Sequence, residues 1–273
     1  MPGLLLPPYP ALMSVTTPPS RPARLPISQE QRADVLRRVN RGSVSLWGLL
    51  WDSAKSFAIA IVLFLIVRAF LVEAFKIPSG SMERTLLVGD FLLVNKLVYG
   101  AEVPFTGKHL PALRRPGRGD VIVFQWPSDP SKNFVKRLVG VAGDTLEMRL
   151  GVLYRNGLAQ PERYATRSAG ESDPPADDQF VWQRDHLVRT AEARVGYHPS
   201  RNNWGPLVVP RAHYFVLGDN RDNSLDSRYW GFVPDSMVRG QPLFIYYSYA
   251  PDTAHSFDWL TNIRWTRLGE RID

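Results

Sequence analysis

The feature that most restricts how this chain can fold is an apolar run of eleven residues at 57–67, FAIAIVLFLIV. A helix over this run is hydrophobic on every side, so it lies either in a large protein core or in lipid. Crossing a bilayer takes about 20 mainly apolar residues. The chain reaches that length over residues 49–72, because Lys55 and Arg68 can extend their charged ends to the membrane surface. The sequence therefore predicts one transmembrane helix at 49–72, with a buried core helix as the alternative.

The residues before this helix predict a cytoplasmic tail. Residues 1–48 contain six arginines and two acidic residues, and basic residues favour the cytoplasmic side of a membrane. The proline density of residues 1–30 opposes regular structure, whereas residues 28–41 predict a short helix capped by Ser28, with Gln31 as its capping-box partner. No small-x-small cleavage site follows the apolar run, so the run is predicted to remain as an anchor. The larger C-terminal part then lies across the membrane.

Composition excludes several classes of function. The chain has no cysteine, which excludes disulfides, thiolate metal sites and cysteine nucleophiles. Its five histidines have no metal-ligand spacing, so no metal site is predicted. The formal net charge of +7 lies partly in the tail, whose six arginines and two acidic residues give it +4, and the remainder has no run of basic residues interleaved with aromatics. Nucleic-acid binding is therefore not expected.

The part beyond the anchor is predicted to be mostly β, with antiparallel strands. The chain has 23 prolines and 20 glycines without a repeat, which favours short strands and turns. Strand patterns occur at 90–96, 120–126, 134–139, 214–217 and 243–247. Asn156-Gly157 predicts a hairpin turn. A polar stretch at 161–210 interrupts the strand pattern, so we expect a β domain formed by residues 73–145 and 211–273, with residues 146–210 inserted as a second, variable subdomain.

Two serines and one lysine suggest chemistry. A turn punctuated by proline and glycine presents Ser79 and Ser81 just beyond the anchor, and a catalytic serine needs a nearby base and donors for the oxyanion. Lys136 is a candidate base, because in a strand it shares a face with Leu138, and burial lowers the pKa of a lysine. The residues alone leave two plainer interpretations open: a simple turn, and a lysine that points to water from an edge strand.

Four blocks of the sequence, in order, resemble the conserved boxes of bacterial type I signal peptidases. They are Ile77 to Met82 (IPSGSM), Gly89 to Phe91 with Asn95-Lys96, Lys136 to Gly140 with Gly143-Asp144, and Gly218 to Arg228 (GDNRDNSLDSR). With the anchor just upstream, the resemblance spans residues 57–247. It implies a membrane-anchored serine endopeptidase that removes N-terminal signal peptides from exported preproteins at Ala-x-Ala sites, through an acyl-enzyme and without a metal or cofactor.

The resemblance also implies a role for individual residues. Ser81 is the expected nucleophile, and Lys136 is the general base that takes its proton. The Ser79 hydroxyl and the Ser81 amide are expected to form the oxyanion hole, and Ser224 is expected to hydrogen-bond and orient the Lys136 amine. The residues expected to form structural ion pairs are Asp219, Arg137, Asp226 and Arg228. The residues expected to line shallow pockets for small substrate side chains are Phe75, Ile77, Pro78 and Val135.

The implied location is the bacterial cytoplasmic (inner) membrane, crossed once, with the N-terminus in the cytoplasm and the catalytic domain outside. The expected partners are preprotein signal peptides and the lipid bilayer. The chain departs from the family pattern at Arg84, where the family usually has proline, and at Phe134, where members often have tyrosine. Many members also have two transmembrane helices.

Two other functions remain open at this point. Self-cleaving repressors use a Ser/Lys pair on a similar β fold, although they are soluble and carry a DNA-binding domain. The chain could also be a membrane-anchored β domain that binds exported peptides without cutting them.

Overall fold

The computed structural model describes residues 28–41, 46–103, 106, 108, 110–168, 173, 178–188, 196–252 and 257–272. The prediction for residues 1–27 lies outside them, as do parts of the predicted insertion at 169–172, 174–177 and 189–195. The described residues fall into two units, divided between Ala58 and Ile59.

The described part of the N-terminal unit is helical. Helix α1 covers Gln29–Arg41 and begins with the predicted capping box: the Gln31 amide donates to Ser28 Oγ, and the Ser28 amide donates to Gln31 Oε1, both at 3.2 Å. Helix α2 begins at Leu46, covers Leu46–Ile66 and continues into the second unit.

The predicted anchor is helical and unpacked. Helix α2 has no buried residue, and a π-helical turn at Val67–Leu71 extends it. Together they give a candidate membrane span of 26 residues, Leu46–Leu71, with none of its most apolar window buried. The buried-core alternative is therefore wrong for this structure. The span begins three residues before the predicted residue 49, because Leu46 and Trp47 belong to the same helix.

The larger sheet is antiparallel and has seven strands, which confirms the predicted fold class. Its strands are β1 (Val72–Lys76), β2 (Asp90–Asn95), β3 (Val121–Trp126), β4 (Asp129–Val141), β9 (His213–Leu217), β10 (Val233–Pro234) and β11 (Val238–Ser248). Their order across the sheet is β1-β2-β11-β3-β4-β9-β10. Two short helices, α3 (Ser227–Trp230) and α4 (Asp258–Thr261), follow β9 and β11.

The smaller sheet has four strands, β5 (Thr145–Arg149), β6 (Val152–Arg155), β7 (Leu158–Ala159) and β8 (Trp204–Val208), in the order β7-β6-β5-β8. Asn156 and Gly157 join β6 to β7 with φ angles of 54° and 78°, the positive values that a tight hairpin requires. The small sheet is formed almost wholly by the predicted insertion, but it belongs to the same compact unit as the large sheet.

The sheet order determines which strands are buried. Strand β4 lies between β3 and β9, so its main chain is paired on both sides. It is also longer than the predicted 134–139, because the hairpin with β3 continues to Asp129. A lysine on β4 is therefore not on an edge strand, and that interpretation of Lys136 is wrong.

Candidate active site

Ser81 lies in a short 3₁₀ turn, Gly80–Met82, that follows β1. The core anchors the turn through Met82, which is 1% exposed. Burying a methionine contributes about 1.5–3 kcal/mol to the free energy of unfolding. The loop after β9 also holds the turn, because the Asn220 amide donates to the Ser81 carbonyl at 3.1 Å. Ser81 is therefore fixed between the core and this loop, with 9% of its surface exposed.

Lys136 reaches Ser81 from the middle of β4. Its Nζ donates to Ser81 Oγ at 2.6 Å and to the Val135 carbonyl at 3.1 Å. The residue is 4% exposed, and Leu138 on the same strand face is fully buried. The fold therefore brings together two residues that are 55 positions apart, both with little exposure to bulk water.

This burial changes the chemistry of the lysine. Desolvation lowers the pKa of Lys136 from 10.5 to about 8. The negative charges of Asp226 and Asp219 raise the pKa, and the positive charge of Arg228 lowers it, but burial is the largest effect. A useful fraction of the amine is therefore neutral near physiological pH, where it can accept a proton.

A cleft of about 380 Å³ opens beside this pair. It is lined by Phe75, Lys76, Ile77, Pro78, Ser79, Ser81, Met82, Asn133, Phe134, Val135, Lys136, Asn223 and Leu225. All four residues expected to form substrate pockets are in this set, together with both members of the Ser/Lys pair. Ile77 and Val135 belong to the buried core, whereas Pro78 is exposed, so the cleft has an apolar floor and an open rim.

Ser79 lies beside the nucleophile. The residue is exposed and its hydroxyl donates to Ser81 Oγ at 3.5 Å, and its extended backbone, with φ −134° and ψ 155°, precedes the 3₁₀ turn. A hydroxyl at this distance can reorient towards an oxygen bound near Ser81.

Two buried ion pairs lie behind the cleft. Arg137 donates from Nε and Nη2 to the two oxygens of Asp219 at 2.9 and 2.8 Å. Arg228 makes the same kind of bidentate contact with Asp226, at 2.8 and 2.8 Å. Asp226 also caps helix α3. Burial raises the pKa of the Asp226 carboxyl, but the charge and hydrogen bonds of Arg228 outweigh it, so that the pKa lies below its usual range.

Ser224 does not make the expected hydrogen bond to Lys136. Its buried Oγ faces the Asp226 carboxylate, whose pKa it helps to lower, whereas Lys136 Nζ is engaged by Ser81 and the Val135 carbonyl. Ser224 packs against Gly218, where a Cβ would lie 2.2 Å from Ser224 Oγ and 2.5 Å from the Ser81 carbonyl oxygen. The Gly218 position must therefore be a glycine for these two serines to approach each other.

The turn that follows Ser81 contains Arg84, the position where the family usually has proline. The Thr85 amide donates to the Met82 carbonyl at 3.0 Å. Glu83 has φ −53° and ψ 143°, and Arg84 has φ 87°, as in a type II turn. Arg84 is the third residue of this turn, where φ must be positive. A positive φ costs a non-glycine residue about 1–2 kcal/mol, and proline cannot adopt it. The proline usual in the family therefore does not fit this turn.

Sequence reasoning missed three contacts that hold the site. Thr85 Oγ1 donates to Asp219 at 2.5 Å. Glu162 and Tyr164, from the segment predicted as an interruption, contact Arg221 and Arg137. Nothing local marks Glu162 or Tyr164 in the sequence, because their partners are far away along the chain. Among the described residues, no group of three or more His, Asp or Glu side chains could hold a metal ion.

Comparison with known proteins gives one consistent result. The family model described as "Signal peptidase, peptidase S26" matches residues 50–247. A signal peptidase I of Pseudomonas aeruginosa is 40% identical over 216 residues, which cover 75% of this chain and 74% of the relative. One of Aquifex aeolicus is 37% identical over 214 residues, covering 67% and 79%. A crystal structure of a signal peptidase I from Enterococcus faecalis has a TM-score of 0.31 and 30% identity, covering 48% of this chain and 98% of that one.

Proposed function

This chain belongs to the signal peptidase family, peptidase S26, and we propose that it cuts signal peptides with a catalytic dyad of Ser81 and Lys136. Membership makes the chain a serine peptidase that removes signal peptides. The observation that carries the proposal is the 2.6 Å contact between Lys136 Nζ and Ser81 Oγ, both buried residues at the edge of the cleft.

The first step is attack by Ser81. Neutral Lys136 accepts the hydroxyl proton while Ser81 Oγ forms a bond to the carbonyl carbon of the substrate. The negative charge moves to the carbonyl oxygen, where the Ser79 hydroxyl and the Ser81 amide donate to it. A fixed donor of this kind is worth about 2.7–4 kcal/mol in comparable enzymes.

The second half returns the proton. The Lys136 ammonium donates to the leaving amine as the peptide bond breaks, which leaves an acyl-enzyme on Ser81 and a neutral lysine. The same lysine then takes a proton from water, whose oxygen attacks the ester carbonyl; the Lys136 ammonium returns this proton to Ser81 Oγ as the ester bond breaks, which releases the signal peptide and restores the enzyme. No further acid or base is needed, because one group changes role in each half-reaction.

The cleft favours small side chains next to the cut. Ile77 and Val135 form its apolar floor, and Phe75 and Pro78 its sides. We infer that these four residues accept alanine at the first and third positions before the cut, which gives the small-x-small preference. Ser224 is proposed to orient the Lys136 amine once substrate reorganises the site, since a hydroxyl that donates to Asp226 can still accept a hydrogen bond from the lysine.

Membrane attachment follows from the candidate span. Ser81 comes ten residues after the end of the span at Leu71, so the nucleophile stays near the membrane surface, where the cleavage site of a preprotein emerges. The arginine-rich tail supports an N-terminus in the cytoplasm. The catalytic domain then faces the outer side of the bacterial inner membrane.

The test is cleavage of a secretory precursor with an Ala-x-Ala site by the detergent-solubilised full chain. We expect a cut after the second alanine, identified by sequencing the new N-terminus, and no cut by Ser81→Ala that is folded to the same extent. Lys136→Arg is also expected to be inactive, because a guanidinium does not deprotonate at working pH. Substantial cleavage by Lys136→Arg would exclude Lys136 as the base.

The two alternatives are less well supported. A soluble self-cleaving repressor has no use for a 26-residue candidate span. A domain that only binds peptides gains nothing from a buried lysine with a lowered pKa in contact with a serine.

A further inference from the structure

A short segment of the inserted region, residues 162–168, docks on the 218–226 loop behind the cleft. The Thr166 amide donates to the Asp219 carbonyl at 2.7 Å, and the Arg221 amide donates to the Thr166 carbonyl at 3.0 Å. These bonds join the two segments in parallel, like one rung of a sheet. The loop that contributes Asp219 to the site is therefore held by residues from the insertion.

A buried charge pair strengthens this contact. Arg221 donates from both terminal nitrogens to the two oxygens of Glu162, each at 2.6 Å. The two side chains are 0% and 7% exposed. Bidentate pairs of this kind fix orientation as well as distance, so Glu162 determines where Arg221 and its loop lie.

Tyr164 covers the guanidinium next to the proposed base. Its ring centroid is 4.0 Å from Arg137 Cζ, within range of a cation–π contact. Its hydroxyl donates to Glu162 at 3.2 Å. Arg137 follows Lys136 on β4 and holds Asp219 with two hydrogen bonds. Tyr164 therefore packs against the guanidinium that holds Asp219.

The same loop reaches the nucleophile. The Asn220 amide donates to the Ser81 carbonyl at 3.1 Å, and the Asn220 side chain donates to the Gly80 carbonyl at 3.2 Å. A continuous set of contacts thus runs from the insertion, through the loop, to the turn that carries Ser81. Neither Glu162 nor Tyr164 is among the described residues that line the cleft.

We propose that Tyr164, supported by Glu162, is a positioning residue that holds the 218–226 loop, and through it Ser81, at the spacing from Lys136 that catalysis needs. The inference rests on the proposed function of the dyad. Because the segment does not line the cleft, its loss should leave substrate binding intact and slow the chemical step. A misplacement of about 1 Å can reduce a rate by about 100-fold.

The test compares three variants with the full-length wild type in detergent, using a precursor peptide. Tyr164→Leu is expected to lower kcat by about 10- to 100-fold with KM nearly unchanged. Tyr164→Phe keeps the ring over Arg137 and is expected to retain most of kcat. The matched control is Tyr154→Leu, which removes a similar ring from strand β6, 5.0 Å from Arg149 Cζ. This variant should leave kcat and KM unchanged.

Amide hydrogen exchange gives a readout that does not depend on activity. In Tyr164→Leu, amide exchange should become faster in two peptides, the one that covers residues 218–226 and the one that covers Ser81. Exchange in β9 should not change. Acceleration throughout the protein would mean unfolding, and Glu162→Gln would then be measured instead, with the same local acceleration and kcat loss expected.

The outcomes separate the two proposals. A wild type that does not cut any precursor would contradict the proposed dyad, while exchange would still test whether Tyr164 holds the loop. A folded Tyr164→Leu with wild-type kcat, or one that raises only KM, would refute the positioning role and leave the dyad in place. Equal losses in Tyr164→Leu and Tyr164→Phe would also refute it, because the ring would not be the cause.

Discussion

Replacing Lys136 by methionine should abolish cleavage and, at neutral pH, make the protein more stable. The pKa of Lys136 is lowered from 10.5 to about 8 by burial, a difference of about 2.5, which corresponds to about 3 kcal/mol at about 1.36 per pKa unit. Methionine has a similar length and no charge, so it removes this penalty. It also removes the hydrogen bonds to Ser81 and the Val135 carbonyl, each worth about 1 kcal/mol.

The pH dependence gives this prediction its sign. Below about pH 8 the lysine is protonated in both the folded and the unfolded state, so the folded wild type bears the full penalty. Between about pH 8 and 10.5 the unfolded state binds more protons than the folded state, and wild-type stability rises with pH. Lys136→Met should therefore be about 1 kcal/mol more stable than wild type at pH 7, and about 2 kcal/mol less stable at pH 10.5.

The assay is urea unfolding of the detergent-solubilised chain, followed by tryptophan fluorescence at several values between pH 7 and 10.5. Lys132→Met is the control, since Lys132 lies on the same strand with a side chain that is 61% exposed, and its difference from wild type should stay constant. A difference for Lys136→Met that does not change with pH would refute the claim that the buried amine loses its proton in this range.

Three further predictions concern the same site. The rate of precursor cleavage should fall about tenfold per pH unit below about pH 8, as Lys136 becomes protonated; a flat kcat/KM profile from pH 6 to 9 would contradict its role as base. Gly218→Ala should reduce cleavage by at least about tenfold, because the new Cβ would lie within 2.2 to 2.6 Å of Ser224 and the Ser81 carbonyl; wild-type initial rates would show that the site can yield. Arg84→Gly should raise the free energy of unfolding by up to about 1 kcal/mol, whereas Arg84→Pro should lower it, because φ is 87° there; stabilisation by proline in a denaturation curve would mean that the turn has another shape.

Several features of the site could be read from the sequence because they depend on local rules. Alternation along a strand was enough to put Lys136 on the same face as Leu138. The capping box at Ser28 needs only a spacing of three residues, and the Asn156-Gly157 turn needs only residues that tolerate a positive φ. The apolar run at 57–67 predicted a helix without a polar face by its composition, and its length with the flanking residues favoured a membrane span over a core helix.

Other features depend on pairings between distant residues, which no local pattern encodes. Lys136 is buried because β4 pairs with β9, which comes about 75 residues later in the chain. No local pattern predicts this pairing, so the sequence could not exclude that Lys136 lay on an edge strand. The contacts of Glu162 and Tyr164 form only because the polar stretch at 161–210 folds back onto the 218–226 loop. The absent bond between Ser224 and Lys136 depends on which of several nearby acceptors the ammonium contacts.

The junction between the two sheets has a consequence for how such a chain can vary in length. The excursion that forms the small sheet leaves the large sheet after β4 and returns before β9, two neighbouring strands. The Gly143 amide donates to the Val209 carbonyl and the Val209 amide to the Asp144 carbonyl, both at 2.9 Å. The two ends therefore meet, and a short hairpin could close the gap at a lower entropic cost, by about 0.6 kcal/mol for each halving of the loop length. A shortened chain of this kind would keep its sheet order and lose residues 162–168, so it would need another way to immobilise the 218–226 loop.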